Sequence, residues 1–171
     1  MYNSRGQLND IVQLSVEAGK QDEEYFKEFI QNKYKIQLIP KSQFKPYDFS
    51  LNKIHKIEYK GLHYSLDIEK NLAISVKDNS KSITDVMIGL DKIIYYYYRR
   101  RKNKDLKFNI FYGFIESTDS VVKKISYRYI EITDLLYEMI MSYDKKYYYN
   151  KEHVLIPISS LKSLNECPFI Q

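Results

Sequence analysis

Apolar and polar residues alternate along residues 56–77, and this alternation predicts three short β-strands. Two tight turns would join them, one at Lys60-Gly61, where glycine tolerates a positive φ, and one at Glu69-Lys70-Asn71. With those turns, one face of the strands is apolar: Ile57, Tyr59, Leu62, Tyr64, Leu66, Ile68, Leu72, Ile74 and Val76. We expect an antiparallel meander whose apolar face covers the core.

Helical and strand patterns on both sides of this meander predict the remaining elements. Helical spacing predicts a first helix from Gly6 to Ala18, which Gly19 would end, and a second from Asp22 to Asn32. A third helix is predicted from Ser82 to Arg101, because Ser82-x-x-Asp85 forms a capping box at its start. Strand patterns cover Tyr34 to Ile39, Phe108 to Ile115, Ile125 to Ile132 and His153 to Ile158, the last at a sheet edge because of Pro157. Thr133 or Asp134 would cap a further helix to Ser142.

This order of elements predicts an α+β fold in a single domain, residues 1–171. A mixed sheet that contains the three-strand antiparallel meander would be flanked by helices. The run from Phe108 to Ile115 is almost continuously apolar, which is typical of a central strand buried on both faces.

Composition narrows the classes of function. With 44% apolar residues and no long apolar run, the chain is neither disordered nor membrane-spanning, and its N-terminus lacks a secretory signal, so we expect a cytoplasmic protein. One cysteine excludes an intramolecular disulfide and a cysteine-rich zinc site, and three scattered histidines disfavour a histidine cluster. Carboxylates would therefore hold any metal, which favours Mg²⁺ or Mn²⁺.

The predicted meander suggests one chemical site. Asp67 on one strand is expected close to Ser75 and Lys77 on the next. The carboxylate could hold Mg²⁺, while the ammonium group stabilises charge on a phosphate oxygen or orients the attacking water.

A second interpretation uses residues earlier in the chain. Asp48 precedes a strand, and a turn at Asn52-Lys53 would bring it opposite Glu58 and Lys60. An acid facing a Glu-x-Lys pair across a hairpin is equally sensible chemically. The sequence therefore offers two alternative sets of site residues, which we call the Asp67 register and the Asp48 register.

The helix that follows the meander is predicted to end in a strongly basic segment. Its cations are Arg99, Arg100, Arg101, Lys102 and Lys104, after a tyrosine run from Tyr95 to Tyr98. Cations suit a helix C-terminus on dipole grounds alone, but they could also meet phosphates, and the net charge of +5 favours an acidic partner. We expect this segment to bind nucleic acid.

From roughly Gly6 to Ile115 the chain resembles the PD-(D/E)XK nuclease superfamily, which includes many restriction endonucleases. The shared core of that family is a helix, a three-strand meander, a helix and a strand, the order predicted here. In the Asp67 register, Asp67 would be the family's strand acid and Ser75-Val76-Lys77 its x-Lys motif. Ser75 departs from the usual acid, and the resemblance implies that Asp91 on the following helix supplies the second metal-binding carboxylate.

In the other register, Asp48, Glu58 and Lys60 match the family's pattern without departure. The family expects a helix soon after the lysine strand, whereas another hairpin is predicted after Lys60, so we prefer the Asp67 register. Glu17 or Glu24 on the N-terminal helices could add a water-mediated metal contact, as helix glutamates do in some family members.

The resemblance implies a Mg²⁺- or Mn²⁺-dependent DNA endonuclease, most simply a small type II restriction enzyme that acts as a homodimer. Two other classes of function fit the sequence. One is a non-catalytic nucleic-acid-binding protein that uses the basic segment, and the other is an inhibitor- or immunity-type protein that binds a protein partner.

Overall fold

The computed structural model of the chain describes residues 4–41, 47–119, 121–148, 150–168 and 170, which form a mixed α+β fold. The helices are α1 (Ser4–Tyr34), α2 (Leu90–Lys102) and α3 (Asp134–Ser142). The strands are β1 (Ile39–Pro40), β2 (Phe49–Ser50), β3 (His55–Leu62), β4 (Tyr64–Asp67), β5 (Leu72–Ser75), β6 (Ser82–Ile83), β7 (Asp85–Gly89), β8 (Lys107–Thr118), β9 (Val121–Glu131), β10 (Lys145–Tyr148), β11 (Lys151–Pro157) and β12 (Lys162–Ser163). None of the described helices is both long and apolar enough to cross a membrane.

The largest sheet has the strand order β1-β2-β3-β8-β9-β12. Its first three strands pair antiparallel, and β3 then pairs parallel with β8. The chain between β3 and β8 holds β4 to β7 and α2, so the parallel connection contains both a helix and a set of inserted strands. An antiparallel triplet of strands is therefore present, but it spans residues 39–62 instead of the predicted residues 56–77.

The predicted turn at Lys60-Gly61 is wrong, because β3 runs through it to Leu62. Gly61 has another role. A Cβ atom at this position would lie 2.5 Å from Oδ2 of Asp22 on α1, so only a glycine lets the helix approach the strand this closely. The small residue predicted to bend the chain instead brings α1 against β3.

The second predicted turn is confirmed, although its register differs. The loop joining β4 and β5 has four residues, Ile68 to Asn71, and Asn71 takes a positive φ of 51°. The pairing is shifted relative to a three-residue loop, which reverses the faces of β5: Ala73 is buried and Ile74 is exposed.

Two helix predictions are also wrong. Gly19 does not end a helix, since α1 is continuous from Ser4 to Tyr34, and the predicted strand from Tyr34 to Ile39 is replaced by the end of α1 and an irregular segment. Ser82 does not cap a helix, because residues 82–89 form β6 and β7. The alternate residues Val86 and Ile88 are buried where β7 pairs with β11.

The second half of the chain follows the predicted pattern closely. Residues 108–115 are buried throughout in β8, and β9 covers the predicted strand. The hydroxyl oxygen of Thr133 accepts a hydrogen bond from the backbone N–H of Leu136 and caps α3. The predicted edge strand is wrong in one respect, because β11 lies between β10 and β7 in a separate three-stranded sheet.

The core lies on both faces of β8. On one face, α1 packs against the sheet through an aromatic cluster in which the rings of Phe26 and Tyr59 stack with centroids 4.6 Å apart. On the other face, α2, α3 and the β10-β11-β7 sheet cover alternate residues of β8, such as Ile110, Tyr112 and Phe114. The even-numbered residues of β3 face α2, which determines where its charged side chains lie.

Candidate active site

The structure does not bring the residues of the preferred register together. Asp67 is paired with Leu72, whereas Ser75 is paired with Tyr64 at the far end of the hairpin, three residues or about 10 Å along the strands. The Asp67 carboxylate accepts a hydrogen bond from the backbone N–H of Lys70 within its own turn. Lys77 follows β5 and is exposed, so the predicted proximity of Asp67 to Ser75 and Lys77 is wrong.

Asp91 does not complete a metal site with Asp67. It occupies the first turn of α2, is exposed, and lies 3.9 Å from the ammonium nitrogen of Lys151 on β11. The Asp67 carboxylate, by contrast, caps the β4–β5 turn. The two acids thus have separate local partners.

The residues of the alternative register, Asp48, Glu58 and Lys60, do meet at one point. The antiparallel pairing of β2 with β3 puts Asp48 opposite Glu58. The backbone N–H of Tyr59 donates to Oδ2 of Asp48 at 2.7 Å, and the N–H of Asp48 donates to the carbonyl of Ile57 at 2.9 Å. Asp48 is therefore held beside the Glu58-Tyr59-Lys60 segment by two hydrogen bonds to the strand itself.

Glu58 has a fully buried side chain, and its charge is compensated by two lysines. Lys60 lies 3.0 Å from Oε1 of Glu58, and Lys92 of α2 donates a short hydrogen bond to the same oxygen. The hydroxyl of Tyr96, one helical turn after Lys92, reaches Oε2 at 3.5 Å. A buried carboxylate requires such partners, because an uncompensated charge in the core is strongly destabilising.

Burial and mutual repulsion disfavour negative charge on the remaining acids of the site. Burial raises the pKa of the half-buried Asp48, and the carboxylate of Glu58 raises it further, although the N–H of Tyr59 opposes this shift. Burial likewise raises the pKa of Glu23 on α1, and Asp48 and Glu58 add to the effect. Three carboxylates therefore lie close enough to repel one another.

The same cluster of acids favours the charged form of Lys60. Its burial favours the neutral amine, but the carboxylate of Glu58 and the more distant Asp48 and Glu23 outweigh burial and hold its pKa above the ordinary value. Lys60 is consequently an ammonium ion at neutral pH. It can stabilise negative charge or orient water, but it cannot remove a proton.

Glu23 is a site residue that the sequence did not single out. Glu17 and Glu24 were the predicted helix contributors, yet Glu17 is exposed and Glu24 pairs with Lys27 at 3.3 Å. The neighbouring Asp22 is buried against Gly61 and lies 3.3 Å from Nε2 of His63. The acidic run at residues 22–24 was the only sign in the sequence of an acid from α1 near the site. The packing of α1 against β3 determines that Glu23, the middle residue, is the one that approaches Asp48 and Glu58.

A cavity of about 890 Å³ opens beside the two lysines that compensate Glu58. Its walls come from β3, β4, the strands β7 and β11, and the start of α2. The charged and ionisable residues that line it are Lys60, Asp85, Asp91, Lys92, Lys146, Lys151 and His153. The strands inserted after Lys60, which argued against this register, thus form a wall of the cavity next to it.

The donor set at this point fits a hard divalent cation. Asp48 and Glu58 would supply carboxylate oxygens. Burial and the neighbouring Glu58 carboxylate raise the pKa of Asp48, and a nearby cation would oppose that shift. Mg²⁺ commonly binds through one or two protein carboxylates, with water and substrate phosphate completing its shell. Across the described ranges, no group of three or more His, Cys, Asp or Glu side chains is arranged to hold a metal ion.

The chain matches no family model, no curated protein and no solved structure. Carboxylates that could hold a cation lie beside a lysine that stays protonated and beside a cavity lined by further cations. This arrangement is suited to hydrolysing a phosphate ester.

Proposed function

We propose that this protein is a Mg²⁺- or Mn²⁺-dependent DNA endonuclease whose active site is formed by Asp48, Glu58 and Lys60. The observation that carries the proposal is the hydrogen bond from the N–H of Tyr59 to Asp48, which fixes the acid beside the Glu-x-Lys pair. This set replaces the Asp67, Ser75 and Lys77 set favoured by the sequence.

The order of elements supports a restriction-endonuclease-like core. A helix, three antiparallel strands, a second helix and a strand parallel to the third follow one another as α1, β1 to β3, α2 and β8. The inserted strands β4 to β7 separate β3 from α2 in sequence, yet α2 still delivers Lys92 and Tyr96 to Glu58. The late helix that counted against this register is thus compatible with it.

Each residue has a role that follows from its charge and position. Asp48 and Glu58 would hold the divalent ion, which would supply Lewis-acid chemistry at the phosphodiester. Lys60, an ammonium ion, stabilises negative charge on a phosphate oxygen. Lys92 pairs with the buried carboxylate of Glu58 and orients it.

Glu23 is the best-placed proton acceptor among the described acids of the site. Its pKa is raised by burial and by Asp48 and Glu58, which brings it closer to neutrality than an exposed glutamate. A general base works best when its pKa lies near the working pH, and Lys60 is excluded from that role by its own raised pKa.

DNA in the cytoplasm is the substrate we infer, because the protein carries a net charge of +5 and cations line the cavity beside the site. A type II restriction enzyme would bind as a homodimer, since each active site cuts one strand and two-fold symmetry matches a palindromic sequence.

Plasmid cleavage tests the proposal. We expect the wild-type protein to nick or cut DNA with Mg²⁺ or Mn²⁺ and not with EDTA. Asp48→Asn preserves an oxygen for the N–H of Tyr59 but removes a charge from the ion's ligand set, and Lys60→Gln removes the ammonium group. Each substitution should lower the rate at least about a hundredfold.

Lys77→Ala and Asp67→Asn serve as matched controls, because they make similar changes at residues that do not converge. Both should cleave at the wild-type rate. Thermal melting of every variant separates loss of activity from loss of the fold. Wild-type cleavage by folded Asp48→Asn and Lys60→Gln would refute this active site, and DNA binding without any cleavage would favour a non-catalytic binding protein.

A further inference from the structure

The four basic side chains in the last turn of α2, at residues 99–102, divide into two groups, and Lys104 follows the helix. Arg100 donates to the carbonyl of Ile132 at 2.8 Å and lies 3.9 Å from Asp134, so it fixes α2 to α3. Arg101 lies over the ring of Tyr97 at 5.6 Å, and Tyr97 in turn stacks on Tyr137 of α3. Arg99 and Lys102 instead line a pocket on the side of α2 that faces β3.

This pocket, of about 360 Å³, is strongly basic. Four of its lining residues are cations, two from the β2–β3 region and two from α2, and none of the lining residues is acidic: Lys53, Lys56, Arg99 and Lys102. Tyr47 and Tyr95 also line it. Cations this close repel one another unless an anion lies between them, so the pocket has the charge of a phosphate site.

Two of the cations are held in place before any ligand arrives. Lys56 donates to the hydroxyl of Ser50 and to the carbonyl of Asn52, each at 3.0 Å, and its ammonium group lies 5.6 Å from the ring centre of Tyr47. The guanidinium of Arg99 lies 5.9 Å from the ring centre of Tyr95. These contacts fix cationic groups on both walls of the pocket, which lowers the entropy lost on binding.

The pocket lies on the same faces of β3 and α2 as the active site. Lys56, Glu58 and Lys60 alternate on one side of β3, so the pocket cation is about 13 Å from the catalytic lysine along the strand. Lys92 and Arg99 are seven residues apart, or about 10 Å along the helix. At 3.4 Å of helix axis per nucleotide, this separation corresponds to about three to four nucleotides.

We propose that this pocket binds a backbone phosphate of the DNA strand that is cut, about three to four nucleotides from the scissile phosphate. The inference rests on the proposed function, because the active site defines where the strand enters. The pocket would fix the register of the strand and would contribute to affinity for any sequence, since phosphate contacts carry no base information.

Fluorescence anisotropy with a labelled DNA duplex in EDTA tests the pocket without cleavage. Arg99→Gln should weaken binding about five- to tenfold at low salt and should reduce the slope of log K against log salt by about 0.9. Arg101→Gln is the matched control, since it removes the same charge two residues away on the same helix. Lys53→Gln should behave like Arg99→Gln, and Lys70→Gln, in an exposed turn elsewhere, should not.

Equal losses for Arg99→Gln and Arg101→Gln would overturn the proposal, because binding would then depend on net charge alone. No loss for either would also overturn it, because the pocket would then contribute nothing to DNA affinity. A mononucleotide such as dAMP that binds through Arg99, while duplex affinity is unchanged by Arg99→Gln, would overturn it too. The result is independent of cleavage. If DNA binding depends on Arg99 but the protein cuts no DNA, the pocket is supported and the nuclease proposal is refuted. If the protein cuts DNA but Arg99 has no effect on binding, the nuclease proposal is supported and the pocket is refuted.

Discussion

Asp48 illustrates how a buried carboxylate beside a second acid destabilises the protein that carries it. Its pKa is raised by burial and by Glu58, so the folded state holds the proton more tightly than the unfolded state does. The corresponding stability is complete below the unfolded pKa near 4 and is lost as the pH rises through the folded value. At neutral pH without metal, the ionised Asp48 therefore weakens the fold.

We predict that Asp48→Asn increases the free energy of unfolding of the metal-free protein at pH 7 by roughly 0.5–2 kcal/mol. The gain should shrink towards zero at about pH 3, below the unfolded pKa, where Asp48 is protonated in both the folded and the unfolded state. Urea unfolding in EDTA at both pH values measures the difference.

Lys41→Gln, near Asp48 in the chain but not among the charges that shift its pKa, should show no such pH-dependent gain. A less stable Asp48→Asn protein at pH 7 would mean that the hydrogen bond from Tyr59 matters more than the repulsion.

At the scale of single residues, the sequence offered the proposed site only as the less favoured of two alternatives. Asp48, Glu58 and Lys60 match a spacing that can be read along the chain. Glu23, Lys92 and Tyr96 cannot be found that way, because each reaches Glu58 or Asp48 only through the packing of a helix against β3. Sequence separation carries no information about that packing.

Among the elements, α1 depends most clearly on a single position of its partner strand. Gly61 lets Asp22 approach the backbone of β3, and the same contact brings the neighbouring Glu23 towards Asp48. We predict that Gly61→Ala displaces α1 and lowers the free energy of unfolding by about 1–3 kcal/mol. Thermal or urea unfolding measures this change, and cleavage should fall with it because Glu23 is moved.

Gly19→Ala is the natural comparison, since Gly19 lies within α1 with open space around its Cα. This substitution should increase stability by up to about 1 kcal/mol, the difference in helix propensity between the two residues. An equally stable Gly61→Ala protein would show that α1 does not depend on this contact.

Errors at the scale of elements arose where a local pattern was compatible with more than one structure. A glycine in a sequence indicates either a turn or a close approach between backbones, and Gly61 was interpreted as the first when it is the second. A loop one residue longer than expected then exchanged the faces of β5. Strands with strong local signals, such as β8, and the capped helix α3 were predicted correctly, because their patterns do not depend on a partner's register.

For the whole molecule, the α+β class was predictable from the order of elements, but the division of the strands among three sheets was not. Strands β4 to β6 form their own sheet, and β7 joins β10 and β11 from the other end of the chain. Pairing between β7 and β11 links residues more than sixty positions apart, for which local alternation gives no signal.

The number of active sites per DNA complex is a property of the assembled protein. If two copies act together on a duplex, supercoiled plasmid should become linear without accumulating a nicked form, and the rate should rise more steeply than the first power of protein concentration. Gel electrophoresis over a time course distinguishes the two products. Complete conversion to the nicked circle before any linear DNA forms would contradict the homodimer and indicate independent single-strand cuts.

The two lysines on one oxygen of Glu58 have a consequence for the order in which ligands enter. An ion that arrives alone meets a carboxylate whose charge is already neutralised and must compete with both ammonium groups. A phosphodiester offers those ammonium groups another anion and so releases the carboxylate. Ion and DNA would then each bind more tightly in the presence of the other, by the same factor in both directions, and the resting protein would discriminate against free cations.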